Sequence, residues 1–213
     1  MILGNSFSGT SWERDLLSVI RLTGFDGKAP VFCQQIHSGR VYVVRSGGLA
    51  GRGDGLVTDR QDLALCIQTA DCIPIFLYAP EEGTIGLVHA GWRGTSRGIV
   101  VNALETMKAV SGIEPASVEI FMGPSIRPCC YVVGRDVASR FDQRFVTGDK
   151  KGLLHLDLPG ASAFQMASWG VRPSQIHQDG RCTSCHSDGL YSYRRDGTRA
   201  GRMICIMALK EER

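Results

Sequence analysis

The chain has 213 residues, 43% of them hydrophobic and 21% charged, which is typical of a globular protein and not of a disordered or fibrous one. Its net charge is only +3, with no basic run, and no apolar stretch approaches the roughly 20 residues of a membrane span. These features argue against nucleic acid and membranes as partners.

We expect one domain over residues 1–213 and, because the N-terminal residues lack a secretory signal, a cytoplasmic location. In that compartment the eight cysteines are expected to be reduced core residues, metal ligands or catalytic groups.

In chain order, the first predicted element is a helix that Thr10 and Glu13 open as a capping box and Gly24 ends. A strand–turn–strand over 30–44 follows, and then a glycine-rich surface loop over 46–55. Apolar runs predict further strands at 63–69, 74–77, 85–89, 118–122 and 203–209.

Helices are predicted from a cap at Thr95 or Ser96 to residue 110, near 136–145, and over 159–169 with Gly170 closing the last. Because strands and helices do not alternate regularly, the predicted fold is α+β. Its mixed β-sheets are expected to pack centrally, with helices on the outside.

Three potential metal ligands fall where predicted strands end or turn. His37 lies in a turn, Cys72 in the break before residue 74, and His89 at the end of a strand. Side chains at such positions often project from a rigid sheet into a cleft. Zinc accepts His nitrogen and Cys sulfur, and three protein ligands leave a fourth position for water or substrate. From the residues alone, the alternative of a buried core thiol and two ordinary loop histidines stays open.

The segment from His89 to Thr95, with the sequence HAGWRGT, joins a predicted strand to a predicted helix. Its glycines permit a sharp turn, and a helix N-terminus presents unpaired N–H groups that favour an anion. Arg93 would add a forked guanidinium suited to phosphate or carboxylate. An ordinary strand-to-helix turn with Arg93 facing solvent is the alternative.

Five blocks of sequence carry a family resemblance. They are Gln35-Ile36-His37; Asp54-Gly55-Leu56-Val57-Thr58 with Thr69-Ala70-Asp71-Cys72-Ile73-Pro74; His89-Ala90-Gly91-Trp92-Arg93-Gly94; Gly123-Pro124-Ser125-Ile126 with Cys130-Tyr131; and Cys182-Thr183 with Tyr191-Ser192-Tyr193-Arg194-Arg195-Asp196 and Gly201-Arg202. Together they resemble the YfiH family, also called the laccase-domain or multicopper polyphenol oxidase family. The blocks run from about Gln35 to the end of the chain.

The resemblance implies an α+β fold and a metal ion, zinc or alternatively copper, held by His37, Cys72 and His89. It implies a purine nucleoside phosphorylase that also deaminates adenosine and cleaves methylthioadenosine with phosphate. The implied catalytic residues are Asp71, Cys72, His89 and Arg93, and the implied substrate-binding residues are Gln35, Arg93, Tyr131 and Arg194. Expected partners are a purine nucleoside and phosphate, and the expected state is a monomer or small homo-oligomer.

Two departures from the family pattern bear on activity. The family usually has an Arg-x-Gly-Gly-type segment before the first helix, which this sequence does not contain, and Glu where this chain has Val132. If either element contacts substrate, activity or specificity is expected to differ.

Three other functions stay open. One is a hydrolase that edits peptidoglycan precursors with Cys72 as nucleophile and His89 as base. Another is a copper-associated polyphenol oxidase, although five histidines are too few for the clusters of a multicopper centre. The third is a catalytically impaired binding module.

The segment from Cys182 to His186 matches C-x-x-C-H, the attachment pattern of c-type haem, which normally requires export. A zinc ribbon requires a second C-x-x-C pair, and the adjacent Cys129 and Cys130 do not form one. We therefore expect paired interior thiols at Cys182 and Cys185, with a redox pair or an accessory metal as alternatives.

Overall fold

A computed structural model describes residues 2–5, 16, 19, 24, 25 and 27–210. The capping box predicted at Thr10 and Glu13 lies outside the described residues. Leu16 and Val19 of that predicted helix are helical and buried.

The first sheet contains five strands. In spatial order they are β1 (Ile2–Asn5), β14 (Arg202–Ala208), β6 (Leu63–Thr69), β2 (Ala29–Gln34) and β4 (Gly48–Arg52). β14 is antiparallel to β1 and β6, whereas β2 is parallel to β6 and β4, so the sheet is mixed.

The second sheet contains six strands. They are β13 (Ile176–Gln178), β9 (Glu119–Met122), β7 (Ile73–Ala79), β8 (Thr84–Ala90), β5 (Gly55–Thr58) and β3 (Val41–Val43). The two edge pairs are parallel and the inner pairs antiparallel. A third, antiparallel sheet joins β10 (Val132–Val133), β12 (Leu154–Leu156) and β11 (Val146–Gly148).

Besides the helical residues Leu16 and Val19, five α-helices are described over their whole length: α1 (Trp92–Thr95), α2 (Ile99–Ser111), α3 (Arg135–Ala138), α4 (Leu158–Trp169) and α5 (Tyr193–Asp196). Short 3₁₀ turns occupy Pro115–Ser117, Gln143–Phe145, Pro173–Gln175 and Gly197–Arg199. No helix in this part of the chain combines the length and apolar character needed to cross a bilayer.

The two large sheets stack face to face, because alternate side chains of their strands share one core. Leu65 of β6 and Leu87 of β8 both belong to this core, whereas Cys66 packs on the outer face with Leu16 and Val19. The opposite face of the six-stranded sheet packs against α2 and α4. Strands buried on both faces explain the continuous apolar runs of the sequence. The predicted α+β arrangement, with mixed sheets inside and helices outside, is confirmed.

Three predicted elements differ from the structure. The predicted loop 46–55 contains the edge strand β4, and Gly47 permits its approach because a Cβ there would lie 2.8 Å from that of Ala29. Neither Thr95 nor Ser96 caps the long helix, since Gly98 adopts a left-handed conformation (φ 69°) and α2 begins after it. The helix predicted at 136–145 splits into α3 and a 3₁₀ turn, because the Asp142 side chain accepts a bond from the Arg144 N–H and starts a new turn.

Gly112 ends α2 in the left-handed conformation, with φ of 70° and open space around its Cα. We expect Gly112→Ala to lower the free energy of unfolding by about 1–2 kcal/mol, because an L side chain is strained in that conformation. Urea denaturation measures the change. Gly148→Ala is the matched control, since Gly148 is equally exposed and unobstructed but has no positive φ. Equal losses in the two variants would contradict this explanation.

Candidate active site

The pairing of β7 with β8 brings two of the predicted ligands together. Pro74 lies opposite His89 and Ile73 opposite Ala90, so Cys72, just before β7, lies beside the end of β8. His37 reaches the same place from the loop between β2 and β3. One ligand atom from each of these three residues lies within 4.8 Å of the other two.

Asp54 is fully buried and orients two of these three residues. Its Oδ1 accepts bonds from the His37 N–H and His89 Nδ1, both at 2.9 Å. Its Oδ2 accepts from the Ser38 N–H at 2.6 Å, the Ser38 hydroxyl at 2.7 Å and the Ile36 N–H at 3.3 Å. One carboxylate therefore fixes both the loop that carries His37 and the ring of His89.

Gly91 allows the Cys72 thiol to approach the backbone closely. A Cβ at residue 91 would lie 2.8 Å from Cys72 Sγ and 3.2 Å from a ring carbon of His37. Any side chain at this position would therefore displace the thiol or the imidazole. This steric requirement explains why the first glycine of the HAGWRG segment, Gly91, is a glycine.

The backbone is left-handed at two residues of the site. Within the described part of the chain, His37 (φ 57°) and Asp71 (φ 84°) are the non-glycine residues with positive φ. Such conformations persist where surrounding contacts enforce them. The Asp71 carboxylate is held at 2.6 Å by the Thr183 hydroxyl and at 2.6 Å by the Arg194 N–H, so it ties together distant parts of the chain.

The site favours a charged Cys72–His89 pair. Burial opposes ionisation of the Cys72 thiol, but the neighbouring His89 and His37 outweigh it and lower the pKa of Cys72. Burial likewise opposes protonation of His89, but Cys72 and Asp54 raise the pKa of this imidazole. For Asp54, the bonds from His89 and Ser38 overcome desolvation and lower the pKa to about 2.

The three candidate ligands open into a cavity of roughly 510 Å³. Its other lining residues combine apolar, amide, aromatic and cationic side chains: Cys33, Gln34, Gln35, Gln68, Ala70, Asp71, Ile126, Tyr131, Tyr193, Arg194 and Arg202. Tyr131 is nearly buried, whereas Tyr193 is exposed. The guanidinium of Arg194 lies 5.2 Å from the Tyr131 ring centroid and donates to the Val132 carbonyl.

All of the predicted site residues except Arg93 line this cavity, but the side chains of Gln35 and Arg93 are engaged in other contacts. The Gln35 amide is paired with the backbone of Gln68, through bonds of 2.8 Å in both directions, and so joins β2 to β6. Arg93 stacks 4.3 Å above the Trp92 ring and is not among the lining residues. The helix after His89 has only four residues, so the expected helix N-terminus is a single turn. The phosphate-binding role of Arg93 stays a prediction.

Sequence reasoning did not identify Asp54, Tyr193 or Arg202 as site residues, although all three lie in the family-like blocks. For Asp54, the available signal was an acidic residue directly before the apolar segment GLVT, where an unpaired charge would be costly. Arg202 begins the last strand, and the strand pattern alone gives no indication that it faces a cavity.

Cys129 and Cys130 do not form a C-x-x-C pair, but they lie beside the pair that Cys182 and Cys185 form, which the sequence did not indicate. The fold brings Cys129, Cys130, Cys182 and Cys185 together, with one sulfur from each within 4.8 Å of the others. Nor are these thiols all interior, because Cys129 and Cys185 are exposed. The spacing along the chain was uninformative because two separate turns form the cluster.

Comparison with known proteins agrees with this architecture. A family model described as "Multi-copper polyphenol oxidoreductase laccase" matches residues 13–210. The chain belongs to this family. It is 34% identical over 200 residues to a protein named purine nucleoside phosphorylase YlmD from Geobacillus stearothermophilus, covering 85% of this chain and 73% of that protein.

Two solved structures of this family share the fold. One is the hypothetical protein YfiH of Bacillus licheniformis, with a TM-score of 0.85 and 30% identity over 91% of this chain and 79% of that one. The other is YlmD from Geobacillus stearothermophilus, with a TM-score of 0.85 and 32% identity over 91% of this chain and 78% of that one.

We expect Asp54→Asn to lower the free energy of unfolding by about 3 kcal/mol. An amide group in place of one carboxylate oxygen would face N–H donors, and buried hydrogen bonds to a charge contribute about 1.5–3 kcal/mol each. Chemical denaturation measures the change. In the control Asp62→Asn, an exposed ion pair with Arg60 is lost, and the expected change in the free energy of unfolding is much smaller because solvent screens the pair. A comparably small effect at residue 54 would show that Asp54 does not organise the site.

Proposed function

We propose that this protein is a purine nucleoside phosphorylase whose active site is the cavity that His37, Cys72 and His89 line. The observation that carries the proposal is the presence of two arginines, Arg194 and Arg202, among the residues that line this cavity. Phosphorolysis needs a binding site for a phosphate dianion next to a nucleoside, and guanidinium groups match phosphate in charge and hydrogen-bonding geometry. The name of the YlmD relative agrees with this activity.

A zinc ion fits the residues that the chain presents. One thiol and two imidazoles form a donor set that zinc prefers, and the thiol has a lowered pKa. Because His89 Nδ1 bonds to Asp54, Nε2 is the ring nitrogen that would serve as the ligand, an arrangement typical of metal-binding histidines. We propose zinc as the ion, with copper as the alternative. When bound, zinc supplies a Lewis acid that stabilises negative charge on an oxygen atom.

The residues of the chain account for binding and orientation. In the proposed reaction a phosphate oxygen attacks C1′ of the ribose and the glycosidic C–N bond breaks. The purine keeps the bonding electron pair and takes up a proton, and ribose 1-phosphate forms. Arg194 and Arg202 would hold the phosphate charge, and Tyr193 offers an exposed ring on which a purine can stack. Asp71 would act as a positioning residue, through its bond to the Arg194 N–H.

Related substrates follow from the same chemistry. Methylthioadenosine contains the same glycosidic bond, so we propose that the site cleaves it with phosphate as well. Deamination of adenosine consumes water, releases the exocyclic amine as ammonia and gives inosine without phosphate. The identity of the product therefore separates the two activities.

A second candidate function is hydrolysis through a Cys72 nucleophile, for example of a peptidoglycan precursor. It is supported by the order Cys72, His89 and Asp54, in which a thiol of lowered pKa contacts an imidazole held by a carboxylate. Such a reaction would be independent of phosphate and would pass through a thioester.

The deciding experiment measures product formation from adenosine, inosine and methylthioadenosine with and without phosphate, alongside the zinc content of the protein. We expect a free purine base only when phosphate is present. Cys72→Ala should abolish this turnover and the zinc at this site, because the proposed ligand group His37–Cys72–His89 loses its only sulfur. Cys205→Ala, which removes a buried thiol outside the cavity lining, is the control. Full phosphorolysis by Cys72→Ala that lacks zinc at the His37–Cys72–His89 site would refute the metal-dependent proposal. Turnover of a muropeptide precursor without phosphate would favour the hydrolase.

Replacement of the cavity arginines tests the phosphate site. We expect Arg194→Gln and Arg202→Gln each to raise the KM for phosphate at least about 10-fold. This factor corresponds to roughly 1.4 kcal/mol of binding free energy, which is the loss expected when a charge-assisted hydrogen bond is removed. The KM for nucleoside should change less. Arg60→Gln, which removes an exposed arginine outside the cavity, should leave both constants unchanged.

Arg93→Gln distinguishes the phosphate site at the cavity lining from the one that the sequence predicts. If only Arg93→Gln raises the KM for phosphate, the anion binds at the turn after His89, and the proposed roles of Arg194 and Arg202 are wrong.

A further inference from the structure

We propose that Cys129, Cys130, Cys182 and Cys185 bind a second zinc ion through their four sulfur atoms, at a site separate from the His37–Cys72–His89 group. One sulfur from each residue lies within 4.8 Å of the others. Cys185 Sγ is 3.0 Å from Cys130 Sγ and 3.5 Å from Cys129 Sγ. Four sulfurs around zinc, each at about 2.3 Å, lie about 3.8 Å apart in a tetrahedron. Small adjustments of exposed side chains therefore produce the coordination shell.

Two turns deliver the four thiols. In the first, the N–H groups of Cys130 and Tyr131 both donate to the Arg127 carbonyl at 2.9 Å, which places Cys129 and Cys130 on a tight turn. In the second, the His186 N–H donates to the Cys182 carbonyl at 2.9 Å and closes the C-x-x-C segment. Each turn is formed by its own backbone bonds, so its thiols are arranged before any ion binds.

The backbone also holds the two turns against each other. Ser125 and Cys182 form a parallel β-bridge, and the Thr183 N–H donates to the Ser125 carbonyl at 3.1 Å. The Arg127 guanidinium donates to the Asp179 carbonyl at 2.8 Å. Because these bonds do not involve sulfur, the convergence of the four thiols is a property of the fold.

Hydrogen bonds to Cys182 Sγ are suited to a thiolate. The Arg127 N–H donates to it at 3.5 Å, and the N–H groups of Ser184 and Cys185 also donate to it. Four thiolates around one divalent ion leave a net negative charge. Backbone N–H groups that donate to a ligand sulfur stabilise that charge. Hydrogen bonds to the ligand atoms have the same effect at metal sites in general.

Burial and disulfide formation do not explain the cluster as well. Cys129 and Cys185 are exposed, so removal of apolar surface from water does not hold the sulfurs together. Cys185 has two close sulfur neighbours rather than one, whereas a disulfide joins a single pair and needs an oxidant. A tetrathiolate shell uses all four residues and requires only loss of their protons to water.

Two of the four cysteines directly precede residues of the candidate active site along the chain. Cys130 precedes Tyr131, which lines the cavity, and Cys182 precedes Thr183, whose hydroxyl holds Asp71. With four protein ligands the ion has no open position for substrate, which is typical of a structural zinc site. Its role would be to lock the two turns that position Tyr131 and Asp71.

Zinc analysis of the full-length protein, purified under reducing conditions with zinc present, tests the proposal. We expect two zinc ions per chain in the wild type and in the control Cys205→Ala. Cys72→Ala should retain one ion, and X-ray absorption should show it bound by sulfur alone at about 2.3 Å. Cys185→Ser should also retain one ion, bound by nitrogen and sulfur. Because the two variants remove different ions, failure of this proposal is distinguishable from failure of the proposed active site.

The wild type provides a second measurement if Cys185→Ser does not fold. With one sulfur at the first site and four at the second, the mean is about 2.5 sulfurs per zinc. Any of three results would overturn the proposal. The first is a mean of one sulfur per zinc in the wild type, and the second is the absence of zinc bound by sulfur alone in Cys72→Ala. The third is a disulfide between Cys130 and Cys185 in protein that was purified under reducing conditions.

Discussion

The buried carboxylate of Asp54 is the interaction on which the candidate site depends. It has no exposed surface, yet it is ionised, because five hydrogen bonds from the 36–38 loop and from His89 replace the water it loses. Register explains why Asp54 occurs here. β5 pairs with β8 so that Gly55 faces Val88, which puts the preceding carboxylate beside the following imidazole. Sheet pairing thus determines the electrostatics of the site.

The predicted strands were confirmed where the sequence contains long apolar runs, as in β6 and β8, because burial on both faces leaves an unambiguous pattern. Prediction failed where a few residues are ordered by distant partners. β4 has a glycine-rich sequence and forms a strand because its backbone pairs with the edge of β2. The interruption at Gly98 depends on one left-handed residue, which a capping pattern at Thr95 does not reveal.

For the site, strand ends and turns only suggested His37, Cys72 and His89, and the family resemblance predicted them as a group. The structure places them together. The sequence did not indicate which polar side chains contact other parts of the protein instead of facing a ligand. The Gln35 amide bonds to the backbone of Gln68, and the Arg93 guanidinium stacks on the ring of Trp92. The sequence also did not indicate that the four cysteines lie close together. Their proximity results from a bridge between residues 125 and 182, which lie far apart along the chain.

The order of the site residues along the chain has a consequence for biosynthesis. His37, Asp54, Cys72 and His89 all lie in the first 90 residues, whereas Arg194 and Arg202 lie near the C-terminal end. A ribosome therefore releases the complete donor group long before it releases the guanidinium groups of the cavity, and N-terminal parts of a chain can begin to fold during synthesis. The donor group and the cavity arginines are thus synthesised at separate times. Arg202 reaches the cavity only when β14, which it begins, has inserted between β1 and β6.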